Sequence, residues 1–140
     1  MTAVFDLDPR LRAETVAVTS WPLCLVLLQD DARFPWLILV PKRPALSELF
    51  DLSPEDSRQL SREMDAAGRL LKAETGALKI NVGALGNIVR QLHVHVIARN
   101  EGDAAWPGPV WGKGTREPMA ADARDALRAR LRAKLEGAFA

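Results

Sequence analysis

The 140-residue chain has two histidines, His93 and His95, and both lie in Gln91-Leu92-His93-Val94-His95-Val96-Ile97. If this segment is a strand, Leu92, Val94 and Val96 share one face, and Gln91, His93 and His95 share the other. Two imidazoles at i and i+2 can divide one reaction between them. One attacks phosphorus while a hydrogen bond to its other ring nitrogen fixes the tautomer, and the second holds a phosphate oxygen. Upstream, Gly83, Gly86 and Asn87 offer a bend whose backbone N–H groups can approach an anion, and Asn81 and Asn87 add neutral donors. Two blander readings stay open. A solvated sheet face also carries polar residues in alternation, and His-x-His followed by Glu101 is a metal-ligand pattern. The chain has no third histidine to complete such a set, and no metal or cofactor is expected. It has neither a Walker lysine pattern nor a dinucleotide-binding glycine fingerprint.

Such a strand needs a sheet around it and helices to cover it. Asp8-Pro9 reads as a cap and first helical residue, opening a short helix to about Thr15. Thr15 to Ser20 is β-branched and alternating. Leu23 to Leu28 and Trp36 to Val40 are apolar runs of buried-strand length, joined as a hairpin by a polar loop that includes Asp30. Ser53-Pro54-Glu55-Asp56 starts the best helix, with Leu60, Met64, Ala67 and Leu71 as its apolar face and Gly76 as its stop. Leu78 to Val82 predicts a strand before the glycine bend. Gln91 to Arg99 is the strand that carries the histidines, and Ala120 to Ala138 a last helix with Leu127, Leu131 and Leu135 on one stripe. The connection from Glu101 to Pro118, with Trp106 and Trp111, is long enough to suggest a function. Packing or a subunit contact explains its tryptophans equally well. Strands and helices without βαβ alternation predict an α+β fold: an antiparallel sheet of about five strands with a long helix and a C-terminal helix.

Hydrophobic residues make up 48% of the chain and charged residues 26%, so a buried core is within reach and disorder is not expected. Nineteen basic residues against 18 acidic give a formal charge of +1, which demands neither nucleic acid nor an anionic membrane as partner. The arginines of the last helix are interspersed with acids and read as a solvated face. The run from Trp21 to Leu28 falls far short of the ~20 residues that span a bilayer. The start Met1-Thr2-Ala3-Val4-Phe5-Asp6 does not resemble a secretory leader. A lone Cys24 within an apolar run reads as a small buried hydrophobe in a reducing compartment. A cytoplasmic location is expected.

The run Asn81-Val82-Gly83, followed by Gly86-Asn87-Ile88-Val89-Arg90-Gln91-Leu92-His93-Val94-His95-Val96-Ile97-Ala98-Arg99, resembles the signature of the histidine triad (HIT) family. The likeness extends loosely back through the Cys24-to-Pro41 hairpin and the Ser53 helix. It implies one HIT-like domain over 1–140, with 101–140 as a C-terminal loop and helix extension, and a homodimer with a continuous sheet. It also implies hydrolysis or transfer of a nucleotide at its α-phosphate through a nucleotidyl-histidine, with a dinucleoside polyphosphate or nucleoside phosphoramidate as substrate. By this resemblance His93 matches the nucleophile and His95 the last histidine. Asn81, Gly86, Asn87, Val89 and Asp30 fall at phosphate- and nucleotide-binding positions, Asp30 on the ribose side. Gln91 stands where the pattern has its first histidine, among the catalytic positions. Glutamine can hydrogen-bond there but cannot exchange a proton near neutral pH. A nucleotide-binding protein without catalysis is therefore the alternative, and a His-x-His metal protein a more distant one.

Overall fold

The computed structural model describes residues 4–140, so Met1-Thr2-Ala3 and the reading of them as no leader lie outside the described residues. Helix α1 covers Pro9–Ala13 and is followed by β1 (Thr15–Ser20), β2 (Cys24–Gln29) and β3 (Trp36–Pro41). The long helix α2 is Pro54–Thr75, β4 is Lys79–Gly83, β5 is Val94–Arg99, and α3 is Ala121–Leu135. The five strands form one antiparallel sheet in the order β1-β2-β3-β5-β4. This is the expected α+β architecture. None of its helices is long and apolar enough to cross a membrane, among the described residues.

The helix signals act as read. The Asp8 side chain accepts the Arg10 N–H ahead of α1, and Ser53 Oγ accepts the Asp56 N–H ahead of α2. Gly76 closes α2 in the left-handed region at φ 67°. The first helix is shorter than expected because Thr15 already pairs with Gln29 in the sheet.

The central strands are buried on both faces. Val26, Leu37, Leu39, Val94, Val96 and Ala98 pack into a core capped by α2 and α3 through Leu60, Ala67, Leu71, Leu131 and Leu135. On the opposite face Leu27, Trp36, Ile38, Val40 and Ile97 pack beneath Leu7 and Leu11 of the N-terminal segment, Phe34, and Val110 of the long loop. Alternation along β5 thus sends Val94, Val96 and Ala98 into the first core and His95, Ile97 and Arg99 into the second layer.

The α2 stripe holds one surprise. Met64 is only partly buried, and Glu63 takes a fully buried place beside Leu60, Ala67 and Leu71. Its carboxylate accepts the backbone N–H groups of Leu23 at 2.9 Å and Cys24 at 2.8 Å, and the Gln59 side-chain amide at 2.8 Å. The two N–H groups lie where the chain enters β2, so the carboxylate bolts helix to sheet. Burial first, and then the Glu63 charge, push the Cys24 thiol up, which leaves it unreactive. Replacing Glu63 with Leu strands two buried donors, each worth ~1–3 kcal/mol. The E63L variant should lose about 3 kcal/mol in denaturant unfolding, with no gain in Cys24 labelling by thiol reagents in the native state.

Candidate active site

The strand carrying the histidines is shorter than the sequence predicts. It begins at Val94, not Gln91, because pairing with β3 ends at Leu39–Val94 and pairing with β4 ends at Gly83–His95. Residues 91–93 lead into the sheet without belonging to it. Leu92 still fills the first core, its N–H donating to the Leu46 carbonyl at 3.0 Å. The expected shared face therefore holds for His93 and His95 but not for Gln91. The two imidazoles meet edge to face, with centroids 4.9 Å apart, and both line a cavity of about 730 Å³. The Gln91 side chain turns to the N-terminal segment instead: its amide bonds Asp6 and Asp8, and it does not line the cavity.

Each ring has a defined tautomer. The Trp36 indole can only donate, and its N–H reaches His95 Nδ1 at 2.9 Å. Nδ1 of His95 must then be the acceptor, and its proton sits on Nε2. Burial, and then the charge His93 would carry, lower the His95 pKa to about 3; a proton on Nδ1 would also collide with the indole N–H. His93 Nδ1 lies 2.6 Å from the Gln91 carbonyl, which can only accept, so Nδ1 carries the hydrogen, and in the neutral ring the lone pair is on Nε2. One ring thus presents a nucleophilic nitrogen and its neighbour a hydrogen-bond donor.

The walls come from distant parts of the chain. Gly86, Asn87 and Val89 line the cavity, with Gly86 in the left-handed region at φ 74°. Arg10, Arg33, Lys113 and Arg116 also line it, against the carboxylates of Glu14 and Asp31. The balance favours an anion. None of these six charged groups was singled out in the sequence, because no local spacing links residues 10, 33 and 113.

Asn81 and Asp30 are placed elsewhere. Neither lines the cavity. Asn81 Oδ1 accepts from Arg99 Nη1 at 2.9 Å, and Asp30 accepts the Met119 N–H at 2.9 Å while facing Arg116 and Arg124. Both hold the C-terminal part of the chain in place. Arg99 is the hub of this anchorage. Fully buried, it forms a two-bond fork with Asp103 and donates to the Gly108 carbonyl at 2.8 Å. Those bonds hold Asp103 down to about 2, so it stays ionised at ordinary pH.

The loop so anchored delivers Trp111 onto His95, centroids 5.4 Å apart. Gly83 pairs with His95 across the sheet, and a Cβ there would come within 2.8 Å of the Trp111 ring. This glycine therefore serves to admit an indole rather than to bend a phosphate cradle. The Trp111 N–H finds no partner among the described residues. Trp106 lies away from the cavity, stacked on the Arg99 guanidinium at 5.7 Å. The metal reading lacks a ligand set. Both Nδ1 atoms are committed, Glu101 is exposed on the turn after β5, and no group of three His, Cys, Asp or Glu side chains could hold an ion among the described residues.

An antiparallel sheet that sets two imidazoles over a cavity lined by four cations and two carboxylates is an arrangement suited to an anion. The HIT domain family model matches residues 10–102, and the chain belongs to that family. It is similar to a histidine triad protein from Sinorhizobium meliloti, at 50% identity and TM-score 0.91 over 94% of this chain and 97% of that one. A histidine triad protein from Bradyrhizobium japonicum gives 43% identity and TM-score 0.92 over 95% and 99% of the two chains. One from Marinobacter aquaeolei gives 40% and 0.88 over 98% and 97%. No curated protein matches the chain.

The His95 arrangement has a consequence for acid stability. An unfolded histidine titrates near 6.5 and His95 in the fold near 3, so between those values only the unfolded chain binds this proton. The His95 contribution is complete above about pH 6.5 and is lost as pH falls toward 3. Over that window wild type should lose up to about 1.4 kcal/mol per pH unit more than the His95→Gln variant. Unfolding curves of both proteins across the range check this, and equal slopes would refute the assignment.

Proposed function

We propose that this protein is a nucleotide hydrolase or transferase acting at the α-phosphate through a nucleotidyl-His93 intermediate. The observation that carries the reading is the 2.6 Å bond from His93 Nδ1–H to the Gln91 carbonyl, which aims the Nε2 lone pair into a cationic cavity beside a neutral His95. In the first step Nε2 forms a bond to the α-phosphorus. The bond to the leaving group breaks, and its electron pair departs with that group. In the second step water or another hydroxyl acceptor attacks the same phosphorus and gives up its proton to solvent or the departed leaving group, and the P–N bond returns its pair to His93. His95 Nε2–H, Asn87 and the N–H groups around Gly86 and Val89 bind the non-bridging oxygens, where preorganised donors count most. A dinucleoside polyphosphate or nucleoside phosphoramidate supplies the phosphorus. The apolar wall of Trp36, Ile38 and Val110 suits the rest of the nucleotide. The segment after residue 102 belongs to the same functional unit, since it brings Trp111 and Lys113 to the cavity.

A second copy of the chain is the expected partner. β4 is an edge strand, and Leu78 and Val82 beside its free backbone are 55% and 50% exposed. Antiparallel pairing of β4 with its own copy would cover both and extend the sheet across a two-fold axis. The cytoplasm, where nucleotides are abundant, is the proposed location.

Two measurements test these readings. His93→Ala should abolish turnover and the nucleotidyl adduct seen by mass spectrometry, while mononucleotide binding stays within a few-fold of wild type. Turnover retained in that variant would overturn the mechanism. Binding by wild type with neither adduct nor turnover would favour a nucleotide-binding protein without catalysis. Val82→Lys, which puts a charge on the free edge, should convert a sedimenting dimer to a monomer.

A further inference from the structure

The side-chain amide of Gln91 grips a segment more than eighty residues away in sequence. Its Nε2–H donates to the Asp6 carbonyl at 2.8 Å, and its Oε1 accepts the Asp8 N–H at 2.9 Å. One planar amide thus binds an extended backbone as a neighbouring strand would. The main-chain carbonyl of the same residue receives Nδ1–H of His93. A second tie runs from Arg10 Nη1 to the Ile88 carbonyl at 3.0 Å. The segment held in this way caps α1 with Asp8 and brings Arg10, Leu11 and Glu14 to the cavity wall.

We propose that Gln91 is a positioning residue: its amide latches residues 6–14 along the cavity, and the latch holds the carbonyl that sets the His93 ring. The kinetic half of this rests on the nucleotidyl-transfer reading, whereas the latch itself is measurable without turnover. The chemistry selects an amide. Gln91 must offer a donor and an acceptor side by side to a carbonyl and an N–H two residues apart. The two nitrogens of an imidazole point in divergent directions, and an ionised carboxylate has no donor for the Asp6 carbonyl. A protonated carboxyl group has both. Gln91→Glu is therefore a latch that opens when the side chain ionises and closes again in acid. The charged and titratable groups around it are Asp6, Asp8, Arg10 and Arg12 of the N-terminal segment, with Arg90 and His93 on its own side. The two aspartates favour the protonated form and the arginines oppose it.

The test compares wild type, Q91A and Q91E by hydrogen exchange at the Asp8 amide and by kcat, KM and adduct formation with a nucleotide substrate. Measurements at about pH 7.5 and about pH 4 bracket the ordinary titration of a glutamate side chain, near 4.3. Wild type should protect the Asp8 amide at both values. Q91A should lose about tenfold in protection at both, with kcat and the rate of adduct formation falling about tenfold and KM rising. Q91E should behave like Q91A at the higher pH and like wild type at the lower one, a reversal that loss of side-chain volume alone would not produce. Unchanged Asp8 protection in Q91A would overturn the latch. Lost protection with an unchanged adduct rate would overturn the positioning of His93. Should wild type form no adduct at all, the nucleotidyl-transfer reading falls, and the exchange data still decide the latch.

Discussion

A buried strand face that carries an imidazole and a guanidinium must supply hydrogen-bond partners for both, because an unpaired polar group in a packed interior costs more than most single contacts return. On β5 those groups are His95 and Arg99, 8% and 1% exposed, on the same face as Ile97. Trp36 from β3 answers the first, and Asp103, Asn81 and the Gly108 carbonyl answer the second. The rest of the site follows from these two solutions. The tryptophan settles which nitrogen of His95 bears the proton. The arginine pins the loop after β5 and so sets where Trp111 stands.

These two partnerships link stability to function in opposite ways. Arg99 and Asp103 form a fork that survives across ordinary pH, so the loop wall is a permanent feature of the fold. His95 is kept neutral by burial and by His93, which spends stability in acid to hold a donor ready for negative charge. The cavity then has a neutral His95 at its floor and cations on its walls.

Much of the scaffold was legible in the residues. Ser53, Pro54 and Gly76 bracket α2 because capping and left-handed stops act locally. Thr15–Ser20 and the Cys24–Pro41 hairpin follow from composition and run length. Glu63 was missed because its helical spacing places it beside the apolar stripe, and nothing local says that Leu23 and Cys24 will present bare N–H groups to it. The start of β5 was misplaced for a related reason. Alternation continues through Gln91-Leu92-His93, but a strand exists only where a neighbour pairs with it, and the neighbours stop at Val94 and His95.

From the residues alone came the α+β class, the placing of His93 and His95 side by side, and the turn at Gly86 ahead of them. Those are short-range properties, carried by period, caps and turn residues. Tertiary structure alone decided that Trp36 would orient His95, that Asn81 and Asp30 would brace the C-terminal region instead of lining the cavity, and that Gln91 would hold the N-terminal segment. Strand order and register bring residues 36, 81 and 95 together across three strands, and the final hydrogen bonds depend on which buried groups meet there. Local sequence pattern has no access to that meeting, because each partner lies many residues beyond the reach of a turn or a helix.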